Sequence, residues 1–113
     1  MSRAALKADY KLNPPAMGVY AIEHLASGRM LIERSGNLPG ILNRHRFELK
    51  LGRHRNAALQ ADWRRDGEAG FRFAVLDTLE PSADPAFNAE TELDTLLAMH
   101  LEQCPRGAPL SYL

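Results

Sequence analysis

Residues 37–63 constrain the fold of this chain more than any other stretch. Leu38, Ile41, Leu42, His45 and Leu49 recur at intervals of three and four, the repeat of one helical face. Asn37 can cap the start of that helix, Pro39 is tolerated in its first turn, and Gly52 can end it in a left-handed conformation. Asn56 can cap a second helix carrying Leu59 and Trp63, four apart, and Gly67 can end it. Arg44, Glu48 and Lys50 lie off the apolar stripe. Two helices joined at a glycine, each with one apolar side, need a shared apolar surface from the rest of the chain.

The flanking sequence offers that surface as strands. Val19, Tyr20 and Ile22 fall in a partly alternating run over 17–25, residues 26–29 are turn material around Gly28, and residues 30–32 resume the apolar run; together they read as a β-hairpin. Residues 71–79 alternate Phe71, Phe73 and Val75 and then run apolar, a third strand with at least one buried face. Pro81 and Pro85 punctuate. A last helix is expected from about 85 or 89 to 103, with the stripe Leu93, Leu96, Leu97, His100 and Leu101 and acids crowding its N-terminal half, where the helix dipole favours them. The expected fold is α/β of the α+β kind: a small three-stranded, mainly antiparallel sheet flanked by helices, in the order β-β-α-α-β-α. Residues 1–16, broken by Asn13-Pro14-Pro15, read as an arm, 17–104 as the domain and 105–113 as a C-terminal tail.

At 113 residues the chain has room for one core. No apolar run is long enough for a membrane span or resembles the apolar stretch of a signal peptide, and the single cysteine, Cys104, has no internal partner; a reducing cytoplasm is the expected location. Net charge is zero but unevenly spread. Residues 44–72 hold eight bases against four acids, a balance of +4, and residues 73–113 hold seven acids against Arg106, a balance of −6. A basic middle suits an anionic partner. The alternative is that the two halves neutralise one another, or that the acidic last helix meets the basic stretch of a second copy in a homodimer.

The order of elements and the residues on them together resemble the GIY-YIG nuclease superfamily, from Gly18 to the final helix. The first triplet stands as Gly18-Val19-Tyr20. The following Ser-x-Asn-Leu stands as Ser35 to Leu38, and the His-bearing first helix as Asn43-Arg44-His45. The Gly-x-His-x-Asn connection stands as Gly52, His54 and Asn56. The Leu-Gln-x-x-Trp helix stands as Leu59, Gln60 and Trp63, and the Gly-Glu-x-x-Phe-x-Phe approach to the third strand as Gly67, Glu68, Phe71 and Phe73. Where the family has its second triplet, this chain has Leu31-Ile32-Glu33.

The resemblance implies phosphodiester hydrolysis, with a tyrosine of the first triplet as base, a second tyrosine assisting, an arginine on the first helix stabilising phosphate charge, and a carboxylate on a later helix holding one divalent metal, usually Mg2+. Carried over residue by residue, Tyr20 remains, Leu31 replaces the second tyrosine, and Ile41 stands where the arginine is expected. Asp94 is the candidate metal carboxylate, with Glu92 or Glu90 as alternatives. His45 and His54 match histidines near the family's site. Each has a plain alternative: Tyr20 as a half-buried strand tyrosine, His45 as a satisfied core histidine, His54 bonded to a backbone group, Asp94 and its neighbours as a solvated helix start. Arg44, Arg46, Arg53 and Arg55 are candidate phosphate contacts or solvated surface. Glu33 reads as a replacement ligand or as the partner of Arg29 or Arg34. The His pair, nine apart, lacks the spacing of a zinc helix.

Three functions follow: a catalytically degenerate domain, a pseudoenzyme, that binds DNA or RNA through its basic middle; a metal-dependent endonuclease with Tyr20 as base; or a protein-interaction module. The loss of the arginine to Ile41 places the first ahead.

Overall fold

The computed structural model describes residues 15–113. Apart from its last two residues, the arm expected over 1–16 lies outside the described residues. The order is β1 (Met17–His24), β2 (Met30–Ser35), α1 (Leu38–Leu51), α2 (Ala57–Asp66), a 3-10 turn (Glu68–Gly70), β3 (Phe71–Leu79) and α3 (Ala89–Leu101). This is the order read from the sequence.

The sheet runs β2-β1-β3, antiparallel throughout. The central strand β1 is buried on both faces, which its composition permits because Val19, Tyr20, Ala21 and Ile22 are all apolar or aromatic. Its even-numbered residues and its odd-numbered residues point to opposite sides. Tyr20 and Ile22 join Leu31, Leu38, Leu49, Leu59, Trp63 and Phe71 in the larger core, under α1 and α2. Val19 and Ala21 join Ile32 and Leu97 in the smaller one, under α3. The domain therefore has three layers, with the two-helix pair on one face of the sheet and the last helix on the other. Among the described residues no helix is long and apolar enough to cross a membrane.

The predicted caps form. Asn37 Oδ1 accepts from Gly40 N–H at 3.0 Å and Asn56 Oδ1 from Leu59 N–H at 3.0 Å. Gly52 adopts φ 75°, and the next amide, Arg53 N–H, reaches back to Glu48 O at 2.9 Å. Gly18 answers to close approach: a Cβ there would sit 1.9 Å from Asp77 O on β3.

Two regions differ from the expectation. The apolar end of β3 is not a buried face: Val75 and Leu76 are exposed, and the register slips beside them, leaving Leu76 out of the pairing between Val19 and Tyr20. Residues 105–113 pack against the sheet. Tyr112 is buried in the larger core, Tyr112 N–H donates to Met30 O at 2.9 Å, and Met30 N–H donates to Leu110 O at 2.8 Å, so the segment covers the free edge of β2.

Candidate functional site

A pocket of about 390 Å³ opens where β1, β2, α1 and the α1–α2 connection meet. Tyr20, His45, His54 and Arg55 line it, with Leu31, Glu33, Arg34 and Ile41 around them. The structure thus brings together Tyr20, His45, His54 and Arg55 from the expected site, along with Leu31 and Ile41, where the resemblance led to a tyrosine and an arginine being expected.

Tyr20 is held by the central strand, His45 by the buried stripe of α1, and His54 by the loop after Gly52. Gln60, buried on α2, fixes that loop: its Oε1 accepts from His54 N–H at 2.9 Å and its Nε2 donates to Leu49 O at 3.1 Å. Tyr20 Oη and His45 Nε2 are 2.8 Å apart, and His45 Nδ1 and His54 Nε2 are 2.8 Å apart. Asn56 N–H donates to His54 Nδ1 at 3.0 Å.

That last bond orders the whole row. A backbone N–H can only donate, so His54 Nδ1 must accept and its proton resides on Nε2. His54 Nε2–H then donates to His45 Nδ1. The His45 proton is placed on Nε2 and donates to Tyr20 Oη. The phenolic hydrogen of Tyr20 is left to point into the pocket. Both histidines are neutral in this arrangement, and their electrostatics agree. Burial, then the neighbouring His54, lowers His45 to about 4, and burial lowers His54. Burial, then the charge of Glu33, holds the Tyr20 phenol well above its usual range. At neutral pH Tyr20 therefore offers the pocket a proton donor. His45 is at once the satisfied core histidine and a member of the site, and His54 has its backbone bond as well as its place in the row.

The remaining charges are distributed differently from the expectation. Arg34 Nη1 lies 2.8 Å from Glu90 and Arg34 Nε 2.6 Å from Asp94. Asp94 thus reaches the edge of the pocket only as a partner of Arg34, and neither Asp94, Glu90 nor Glu92 lines the pocket. Glu33, expected as a ligand or as a partner of Arg29 or Arg34, pairs with Arg106 of the C-terminal segment. Among the described residues, no group of three or more His, Cys, Asp or Glu side chains stands close enough to hold a metal ion. Two histidines in a hydrogen-bonded row and carboxylates held by arginines are a poor donor set for Mg2+, which takes oxygen ligands. The residues present do not fit the implied metal.

Of the expected phosphate contacts, Arg55 lines the pocket, exposed, with Glu48 3.8 Å away. Arg44 Nε donates to Glu48 at 3.2 Å. Arg46 lies over the Phe73 ring, 4.3 Å from its centroid. Arg53 is exposed in the loop. In the sequence Gln60 and Asn56 stand out only as a matched position and a cap. Their roles in positioning the loop and ordering the row emerge from the packed structure, although a polar residue on the apolar side of a short helix is a usable signal.

This arrangement, with Gly18-Val19-Tyr20 on the central strand and His45 facing it from the first helix, is a GIY-YIG-like fold. Two solved structures share it. An alanine-substituted mutant of the catalytic domain of intron endonuclease I-TevI superposes with a TM-score of 0.62 at 15% identity, covering 78% of this chain and 82% of that one. The catalytic domain of homing endonuclease I-TevI gives 0.60 at 16% identity, covering 77% and 86%. At such identity the likeness is one of fold. No family model and no curated protein matches the chain.

Proposed function

We propose that this is a catalytically degenerate domain of the GIY-YIG type that binds nucleic acid across its α1–α2 face. The observation that carries the reading is the separation of charge. Among the described residues, none of the ion pairs joins a base of residues 44–72 to an acid beyond residue 73. The bases of α1, α2 and the loop between them stand on one side of the sheet and the acids of α3 on the other, where Glu90 and Asp94 take Arg34 of their own chain. Local acids pair with several of these bases, but residues 44–72 keep an excess of four positive charges, and a basic excess favours a phosphate backbone. The Tyr20 hydroxyl and Arg55 would donate to a phosphate entering the pocket.

Degeneracy is supported by Ile41, an apolar side chain on the pocket wall beside Tyr20 and His45. Removing one electrostatic contact to a developing phosphorane commonly costs about 3–4 kcal/mol of barrier. Fluorescence anisotropy with labelled DNA and RNA at low salt should give binding that weakens steeply as salt is raised. No binding at the lowest salt would sink the proposal.

A second reading, an active endonuclease, is favoured by the complete Tyr20–His45–His54 row and by Arg55 at its rim. Plasmid or branched DNA incubated with magnesium or manganese decides between the two. We expect no cleavage by the wild type. Turnover that disappears in Tyr20→Phe would establish the active reading. Cutting that emerges only in the double variant Ile41→Arg with Leu31→Tyr would trace the loss of chemistry to those two positions.

A further inference from the structure

The outward face of α1 carries a feature the pocket does not use. Phe47 is 64% exposed on the side of the helix away from the core. It stands in a shallow depression with Gly40, Asn43, Arg44, Arg46 and Lys50. An exposed phenylalanine ringed by bases is poorly suited to solvent alone, and no element of the described chain covers it. We propose that this depression is a binding site for an unpaired nucleotide: the Phe47 ring stacks on the base, and Arg44 and Lys50 hold the flanking phosphates. The proposal rests on the nucleic-acid reading above and sharpens it, assigning single-stranded or branched nucleic acid as the substrate class in place of continuous duplex.

The spacing supports this occupant. Arg44 and Lys50 lie three residues before and three after Phe47, about 4.5 Å of helical rise on either side. An aromatic platform between two cations is the arrangement that tracks a single strand, because every base has a π-face while the backbone supplies the charge. In a duplex the π-faces are already stacked, and freeing one costs a few kcal/mol. The local acids do not oppose the site. Glu48 is engaged by Arg44 at 3.2 Å, on the side toward Arg55 and the pocket. Glu68 lies 3.6 Å from Lys50 in a pair exposed on both sides, the kind of pair a phosphate replaces at little cost. Arg46, stacked on Phe73, flanks the depression with its guanidinium already oriented. Arg44 lies between Phe47 and the Tyr20 pocket, so one strand can pass from the stacking site to the pocket over α1.

Anisotropy titrations of a short oligothymidylate and of a blunt duplex against wild type, Phe47→Ala and Phe47→Trp test the assignment. Phe47 is exposed on a helix, so the alanine variant should fold, and circular dichroism checks that it does. Phe47→Ala should bind oligothymidylate about fivefold or more weakly, with duplex affinity unchanged. Phe47→Trp should keep the affinity and lose indole fluorescence on binding. Equal single-strand affinity in wild type and Phe47→Ala would overturn the site while leaving the nucleic-acid reading standing. So would a wild-type dimer that Phe47→Ala converts to monomer without change in binding, since the face would then belong to a second copy. Failure of the wild type to bind either probe would remove both.

Discussion

His45 and His54 are kept neutral by burial and by the single amide of Asn56 that sets their tautomers. This has a consequence for stability. His45 is lowered to about 4 in the native state, while an unfolded histidine titrates near about 6.5. Between those values the unfolded chain takes up a proton that the native chain refuses. The stability is therefore fully present above the unfolded value and falls as pH drops toward 4, by about 1.4 kcal/mol per pH unit for this one group. His54, lowered as well, acts in the same sense. Urea unfolding at pH 7 and pH 5 should give a clearly lower midpoint at pH 5, and the gap should shrink in His45→Gln. Coincident wild-type midpoints would contradict the neutral row. Tyr20→Phe deletes the acceptor for His45 Nε2–H and leaves a buried donor unpaired, so it should destabilise by about 1–3 kcal/mol in the same measurement at neutral pH.

At the scale of elements, the α1–α2 connection does more than join two helices. Asn56 caps α2 with its side-chain oxygen, and its Nδ2 donates to Tyr112 O at 2.6 Å, tying the C-terminal segment to the loop. Asn56→Ala should cost about 1–2 kcal/mol through the cap alone. Asn56→Ser keeps a capping oxygen and loses the donor to Tyr112. Thermal unfolding should therefore rank wild type, Asn56→Ser and Asn56→Ala in that order; a serine variant as unstable as the alanine one would show that the tie to Tyr112 carries the larger share. Gly18→Ala meets Asp77 O at a distance no Cβ tolerates, and β1 and β3 would have to part. The glycine of the first triplet is thus required by strand packing, and substitution should destabilise whether or not any chemistry occurs nearby.

For the molecule as a whole, the sheet acts as a divider between a basic face and an acidic one. If binding uses the basic face, Arg53→Ala and Arg55→Ala should each weaken affinity for nucleic acid and flatten the salt dependence, by about one in the slope of log affinity against log salt for each phosphate no longer engaged. Glu92→Gln on α3, across the sheet, should leave both quantities unchanged. A slope indifferent to the arginines but altered by Glu92→Gln would place the binding surface on the wrong face. The fold is largely legible in the residues: helix periodicity over 37–63, the caps at Asn37 and Asn56 and the glycine stop at 52 are local signals, and local backbone preferences answer to them. The site is legible only in part. Tyr20, His45 and His54 stand out, but not their order in a proton row. Asp94 has the position of a metal carboxylate, yet Arg34 holds it. The partner of Glu33 is Arg106, seventy-three residues away, which no local pattern encodes. The bulge at Leu76 in β3 left no mark in the alternation.

Residue order by itself determined the elements, their sequence along the chain and which side of each would be apolar, because periodicity, capping and turn chemistry act over a few residues. The family resemblance added the expectation that Ile41 and Leu31 replace an arginine and a tyrosine. Only the tertiary structure decided how charges pair across the chain, which nitrogen of each histidine carries its proton, and that Phe47 faces outward among bases. Those features depend on which distant groups end up within a few ångströms of one another, and that is settled when the layers pack.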